Sequence, residues 1–174
     1  MDRFIVFTAL LGAFWMLANW AGTVDHGPGV LAPDEPQQSK YLTERSTIII
    51  GQWQLKPVAS YKVTARVAKV KSYDDAEIDE LVPLDFLLGW GAMSDSANLD
   101  ELTLNISNRY ATWRWWGKPP VRADEISSHM SNHHLVPADD RIRKQLHAVR
   151  EGDVVTLHGD LVNIQDHAGQ TQFR

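Results

Sequence analysis

The sequence predicts an α+β domain built on a small, strongly bent antiparallel sheet or partly open barrel with one or two helices, preceded by a single N-terminal transmembrane helix. Three observations lead there. An uncharged stretch of 21 residues, Phe4–Val24, comes almost at the start. Two later stretches, Ser60–Tyr73 and Leu102–Trp116, alternate apolar and polar residues as half-buried strands do. One segment, "ADDRIRKQLHAVREGD", has the spacing of an amphipathic helix.

Composition sets the outer limits. A chain of 174 residues holds one compact domain and an appendage. With 17 basic and 22 acidic residues the net charge is −5, and the two signs are interspersed. That argues against a nucleic-acid binder, which needs a basic stripe to neutralise phosphates. There is no cysteine, which excludes disulfides, thiolate nucleophiles and cysteine-type zinc sites.

As a helix, "FIVFTALLGAFWMLANWAGTV" would reach about 30 Å, the thickness of a bilayer's hydrocarbon core. Trp15 and Trp20 lie toward its far end, where an interfacial belt belongs. A cleavable signal peptide is the competing reading, but Asn19 and Trp20 interrupt a clean small-residue cleavage site. Arg3 places the N-terminus inside and the rest of the chain outside the cytoplasmic membrane, in the periplasm of a Gram-negative cell. "DHGPGVLAPDEPQQSK", Asp25–Lys40, reads as a linker, because three prolines and two glycines leave it little to pack with. The expected organisation is therefore an anchor over 1–24, a linker over 25–40 and a folded domain over 41–174.

Within the domain, "STIII" predicts a short strand. Ser60–Tyr73 predicts a long one whose change of phase between Val67 and Val70 calls for a bulge. "DDAEIDE" reads as a solvated acidic run, since calcium-loop oxygen spacing and a turn glycine are missing. "VPLDFLLGWGAMSD" predicts a turn or two of helix ended by Gly89 and Gly91. "ELTLNIS" and "RYATWRWW" predict a hairpin or one long bent strand. Ala111, Trp113 and Trp115 share one face, Tyr110, Thr112, Arg114 and Trp116 the other. In the helix, Ile142, Leu146 and Val149 share a face, Asp139 or Asp140 caps it and Gly152 stops it. Val154–Ile164 follows as a strand bent at Gly159, and the tail beyond Gln165 is expected to be loosely held.

The motifs "GWGAMSD", "WR", "SHMSNHHLVPA" and "VREGDVVTLHGDLV" together resemble a family of uncharacterised bacterial membrane-anchored or exported proteins. Its pattern runs as Gly-Trp-Gly-x-Met-Ser-Asp, a Trp-Arg strand, and a histidine–asparagine–histidine segment before an apolar-Pro-Ala step. The resemblance covers Pro83–Ile164 and implies no activity. His129, Asn132 and His134 fall on the pattern, whereas His133 stands where the family has an apolar residue. Relatives also continue past the position of Phe173.

Candidate chemistry concentrates in "ISSHMSNHHLVPADD", with three histidines in six residues. A helix would place His129 and His133 at the i, i+4 spacing of zinc ligands. Ser127, Ser128, Ser131 and Asn132 are poor helix formers, however, and no HExxH glutamate is present. The segment is therefore expected to be an irregular buried loop packed against "GWGAMSD" and the Trp113–Trp115 strand, with His129 and His134 inward and His133 toward solvent. Ser94 and Asp95 suit a turn or a cap. A Ser94–His129–Asp95 triad can be drawn, but without the GxSxG elbow that presents a nucleophile. Arg114 could clamp a carboxylate or phosphate.

The polar cluster to test is thus Asp85, Ser94, Asp95, Arg114, His129, Asn132 and His134. The expected function is non-enzymatic: an anchored extracytoplasmic domain binding a polar ligand or an envelope partner, without cofactor, metal or nucleic acid. The alternative is a small hydrolase using His129 or His134, with or without a metal.

Overall fold

The structure is a computed structural model, and it describes residues 4–7 and 22–173. The main sheet has eight strands, β1 (Phe4–Phe7), β2 (Gln37–Lys40), β3 (Ile48–Ile50), β4 (Trp53–Ser72), β5 (Leu84–Gly89), β8 (Met130–Pro137), β9 (Val154–Gln165) and β10 (Thr171–Phe173). Its order is β10-β9-β1-β8-β5-β4-β2, with β3 paired to β4 and β4 also paired to β9. A separate hairpin joins β6 (Thr103–Ser107) to β7 (Tyr110–Arg114). The helices are short: α1 (Ser96–Leu99), α2 (Ala123–Ser128) and α3 (Asp140–His147).

This corrects the expected fold class. Among the described residues strand accounts for 43% and helix for 17%, so this part of the protein is mostly sheet. In place of a small bent antiparallel sheet or partly open barrel, eight strands form one mixed sheet in which β1 runs parallel to β8. The N-terminal anchor is corrected too. Phe4–Phe7 is a strand, parallel to β8 and antiparallel to β9, as its β-branched and aromatic residues favour. Among the described residues no helix is long and apolar enough to cross a membrane. The rest of the expected span, 8–21, lies outside the described residues. The membrane partner, the single-pass topology and the periplasmic placement rested on that helix and fall with it.

The long strand β4 organises the rest. Its first two-thirds run against β9 from Gln54↔Gln165 to Arg66↔Val154, and its last part pairs β5 from Arg66↔Gly89 to Ser72↔Leu84. The register with β5 shifts between Val67 and Lys69, where the sequence changes phase. β5 was expected to be helical. It is instead a central strand with all six residues buried, because "LDFLLG" has apolar groups for both faces. One face, with Leu84, Phe86 and Leu88, joins Tyr61, Val63, Leu135, Leu157 and α3's Ile142 and Leu146 in the main core. On the other face Leu87 packs with Met93, Leu99, Ile106 and Ile126 beneath the β6–β7 hairpin. A third cluster, Leu55, Leu81, Val82, Val136, Val162 and Ile164, closes one end.

The segment read as a linker is held against the domain. Val24 N–H bonds Glu151 O at 2.7 Å, Gly29 N–H bonds Asp95 Oδ1 at 2.8 Å, and Ala32 is buried. Farther on, β2 pairs β4 from Gln37↔Lys62 to Lys40↔Ala59. Its prolines and glycines lack bulk, so backbone hydrogen bonds to the domain do the work that side-chain packing would do elsewhere.

Candidate functional site

The histidine segment is a strand, not a loop. α2 ends at Ser128, His129 caps it, and β8 begins at Met130. Strand alternation then sends His133 and His134 to opposite faces. Because β8 lies between β1 and β5 with both faces covered, both rings are buried. His133 was expected in solvent. Its Nδ1 donates to Ser131 O at 3.0 Å, and its Nε2 accepts from the Tyr61 hydroxyl at 3.0 Å. A carbonyl can only accept, so these two bonds select the neutral tautomer. Burial pushes the His133 pKa down from 6.5 to about 4, and the nearby His134 pushes it the same way. Burial likewise raises the Tyr61 hydroxyl.

On the other face, His134 stands directly across from Asp85 of β5, and its Nδ1 donates to Asp85 Oδ1 at 2.8 Å. Asp85 is fully buried and takes three further donors. Arg109 Nη1 reaches Oδ1 at 2.9 Å, while the Tyr73 hydroxyl and Asn132 Nδ2 reach Oδ2 at 3.1 and 3.2 Å. Arg109 also donates through Nη2 to Asp79 and to Val82 O, and its guanidinium lies 3.6 Å from the centre of the Tyr73 ring. Burial and the neighbouring Asp85 push the Tyr73 hydroxyl up to about 12. Asn132 Oδ1 has no hydrogen-bond partner among the described residues.

Arg109 reaches this place from the tip of the β6–β7 hairpin. Asn108 and Arg109 form its two-residue turn at φ 49° and 67°, the conformation of a type I′ turn. Asparagine accepts such a φ readily; arginine does so at some cost, offset here by two carboxylates. The turn thus pins the small hairpin to the large sheet. Losing one partner of a buried ion pair costs about 3–5 kcal/mol, because the other is left uncompensated. The acidic run contributes to the same network. Asp79 is buried, and its Oδ2 accepts from the Asp75 and Ala76 amides, so it is no solvated residue.

The seven candidates therefore separate. Asp85, Asn132 and His134 converge. Ser94 and Asp95 fix the N-terminal segment instead: Ser94 Oγ accepts from the Leu31 and Ala32 amides and donates to Gly91 O, and Asp95 Oδ1 accepts from Gly29 and caps α1 through Ala97. Those two amides hold the Asp95 carboxyl below its usual range. His129 donates from Nδ1 to Glu125 O, and its Nε2 lies 3.1 Å from Glu35, whose other oxygen accepts from the Trp90 indole. No Ser94–His129–Asp95 relay exists, because each of the three is bonded elsewhere. Arg114 points outward from β7, on the exposed face. Among the described residues no three histidine, aspartate or glutamate side chains converge as metal ligands would.

Sequence reasoning missed Arg109, Asp79, Tyr73 and Tyr61. The one available signal was Asn108, a left-handed-turn residue between two alternating runs.

An open cavity of about 690 Å³ lies elsewhere, beneath the β3–β4 turn. Ile50, Trp53, Leu81 and Pro137 give it apolar walls; Glu77, Glu80 and Arg143 give it charge. Comparison with protein-family models, with characterised proteins and with solved structures finds no match to this chain.

Proposed function

We propose that this domain binds a polar ligand or a protein partner and performs no covalent chemistry. The observation that carries this reading is where the polar atoms go. Asp85 and His134, the best acid–base pair in the chain, lie buried at 0% and 1% exposure, with Arg109, Tyr73 and Asn132 around Asp85. A general base must come within hydrogen-bond reach of its substrate's proton, and a buried, saturated carboxylate does not. A hydrolase using His134 has no approach. One using His129 has the Ser128 hydroxyl 3.0 Å from Nδ1, but that nitrogen and that hydroxyl both donate to the Glu125 carbonyl, so the ring is not placed to take the hydroxyl's proton. The cavity under the β3–β4 turn has the size and the mixture of apolar wall and few charges that binding sites have.

Titration of the ¹⁵N-labelled protein with benzylamine, benzoate and p-nitrophenyl acetate tests this. Benzylamine should shift the Trp53 indole and the Leu81 amide and leave the His134 region still. Ester turnover above background that disappears in His134→Ala or His129→Ala would overturn the binding reading in favour of the hydrolase.

A further inference from the structure

Three features meet at one corner of the sheet. The first is the outer edge of β3. Ile50 and Trp53 flank the two-residue turn at Gly51 and Gln52, with Gly51 at φ 56°. In such a hairpin the closing pair exchanges its backbone bonds, so the N–H and C=O of Ile49 point away from β4. They have no partner among the described residues. The second is the surface of that strand: Ile48, Ile49 and Ile50 are all exposed, Ile49 at 59%. Three adjacent isoleucines on a free edge are an aggregation hazard unless something covers them. The third is the cavity, which the same turn overhangs. Neither the Glu77 nor the Glu80 carboxylate has an ion pair or hydrogen bond among the described residues, and Trp53 lines the same cavity. Arg143 also lines the cavity, but it donates to the Glu80 carbonyl, and two carboxylates still face one cation there.

We infer that this corner takes an extended segment of another protein, apolar and basic, as an added strand. The inference rests on the binding reading above and names its ligand. The segment pairs with Ile49 along β3, at the usual strand spacing of about 4.8 Å, and covers the isoleucines with alternate side chains. From there a lysine or arginine enters the cavity over Trp53 and meets Glu77 and Glu80, where an aromatic face and carboxylates both favour a cation. The occupant is basic because the rim has excess negative charge and the whole chain carries −5.

The probe is a blocked seven-residue peptide alternating valine and threonine around one central arginine, titrated calorimetrically into the intact chain. Two controls accompany it: the same peptide with central glutamate, and one N-methylated on the edge that would face β3. The arginine peptide should bind at least tenfold more tightly than the glutamate peptide, and N-methylation should abolish binding. Glu77→Gln with Glu80→Gln should weaken it about tenfold and remove most of its salt dependence. Ile49→Pro removes the outward N–H without touching a bond to β4, and should abolish binding while the melting curve holds. Equal binding of the arginine and glutamate peptides, or none at millimolar concentration, overturns the inference. So does sedimentation as a dimer that Ile49→Pro dissolves, since the edge would then belong to a second copy. If benzylamine still reaches Trp53 while every peptide fails, the peptide inference is wrong and the binding reading stands.

Discussion

At the scale of single residues, burial decides what each histidine can do. His133 has lost its ordinary titration: the unfolded chain takes up a proton on this imidazole near pH 6.5, the folded chain only near pH 4. Its contribution to stability is therefore complete above pH 6.5, falls as the pH drops toward 4, and levels off below that. The full swing is about 3 kcal/mol. Urea melts at pH 7 and pH 4.5 should give wild type a clear loss at the lower pH. His133→Gln, which can still donate to Ser131 O and accept from Tyr61, should lose markedly less across the same interval. Parallel losses in the two proteins would place the pH dependence elsewhere. The residue's surroundings were hidden in the sequence for a definite reason. A buried strand with both faces covered has no polar side, so alternation could not say that His133 and His134 both face inward.

At the scale of elements, legibility followed periodicity. The α3 helix, with its Asp139 cap, the part of β4 from Ser60 onward with its change of phase, and the two faces of β7 were readable from spacing alone, since each has one wet and one dry side. β5 was not, because six consecutive buried residues carry neither period. The contact between Arg109 and Asp85 was not legible either, because it joins a hairpin tip to a sheet strand 24 positions away in the chain. The N-terminal segment escaped for another reason: backbone bonds, which leave no trace in side-chain pattern, hold it. Gly152 exposes that dependence. It sits at φ 93°, and a Cβ there would lie 2.0 Å from Val24 O. Gly152→Ala should consequently break the Val24–Glu151 bond and free the residues around His26. Amide exchange at Val24 should accelerate well over tenfold while the amides of Phe86 and Leu135 keep their protection. Unchanged exchange at Val24 would mean that the loop of Gly152 gives way instead.

At the scale of the whole molecule, the dominant ladder is non-local. β4 pairs with β9 across intervals that grow from Arg66↔Val154 to Gln54↔Gln165, and this pairing joins the main core to the terminal cluster. Loop closure must precede the contacts that reward it, so refolding should take milliseconds to seconds. Stopped-flow tryptophan fluorescence after urea dilution reads this directly. Completion within tens of microseconds would mean that local hairpins carry the fold's stability.

The same ladder has a consequence during synthesis. A ribosome delivers β4 well before β9, and at about 5–20 residues per second the interval between Arg66 and Val154 lasts on the order of ten seconds. Throughout that time the long edge of β4, with Leu55, Ala59, Val63 and Ala65 beside it, has no strand to pair with. The nascent chain is then a client for whatever shields apolar strands in its compartment, and crowded translation of one message brings identical naked edges together. Slowing elongation between Arg66 and Val154 should prolong that exposure and lower the soluble yield, whereas slowing it before Trp53 should not.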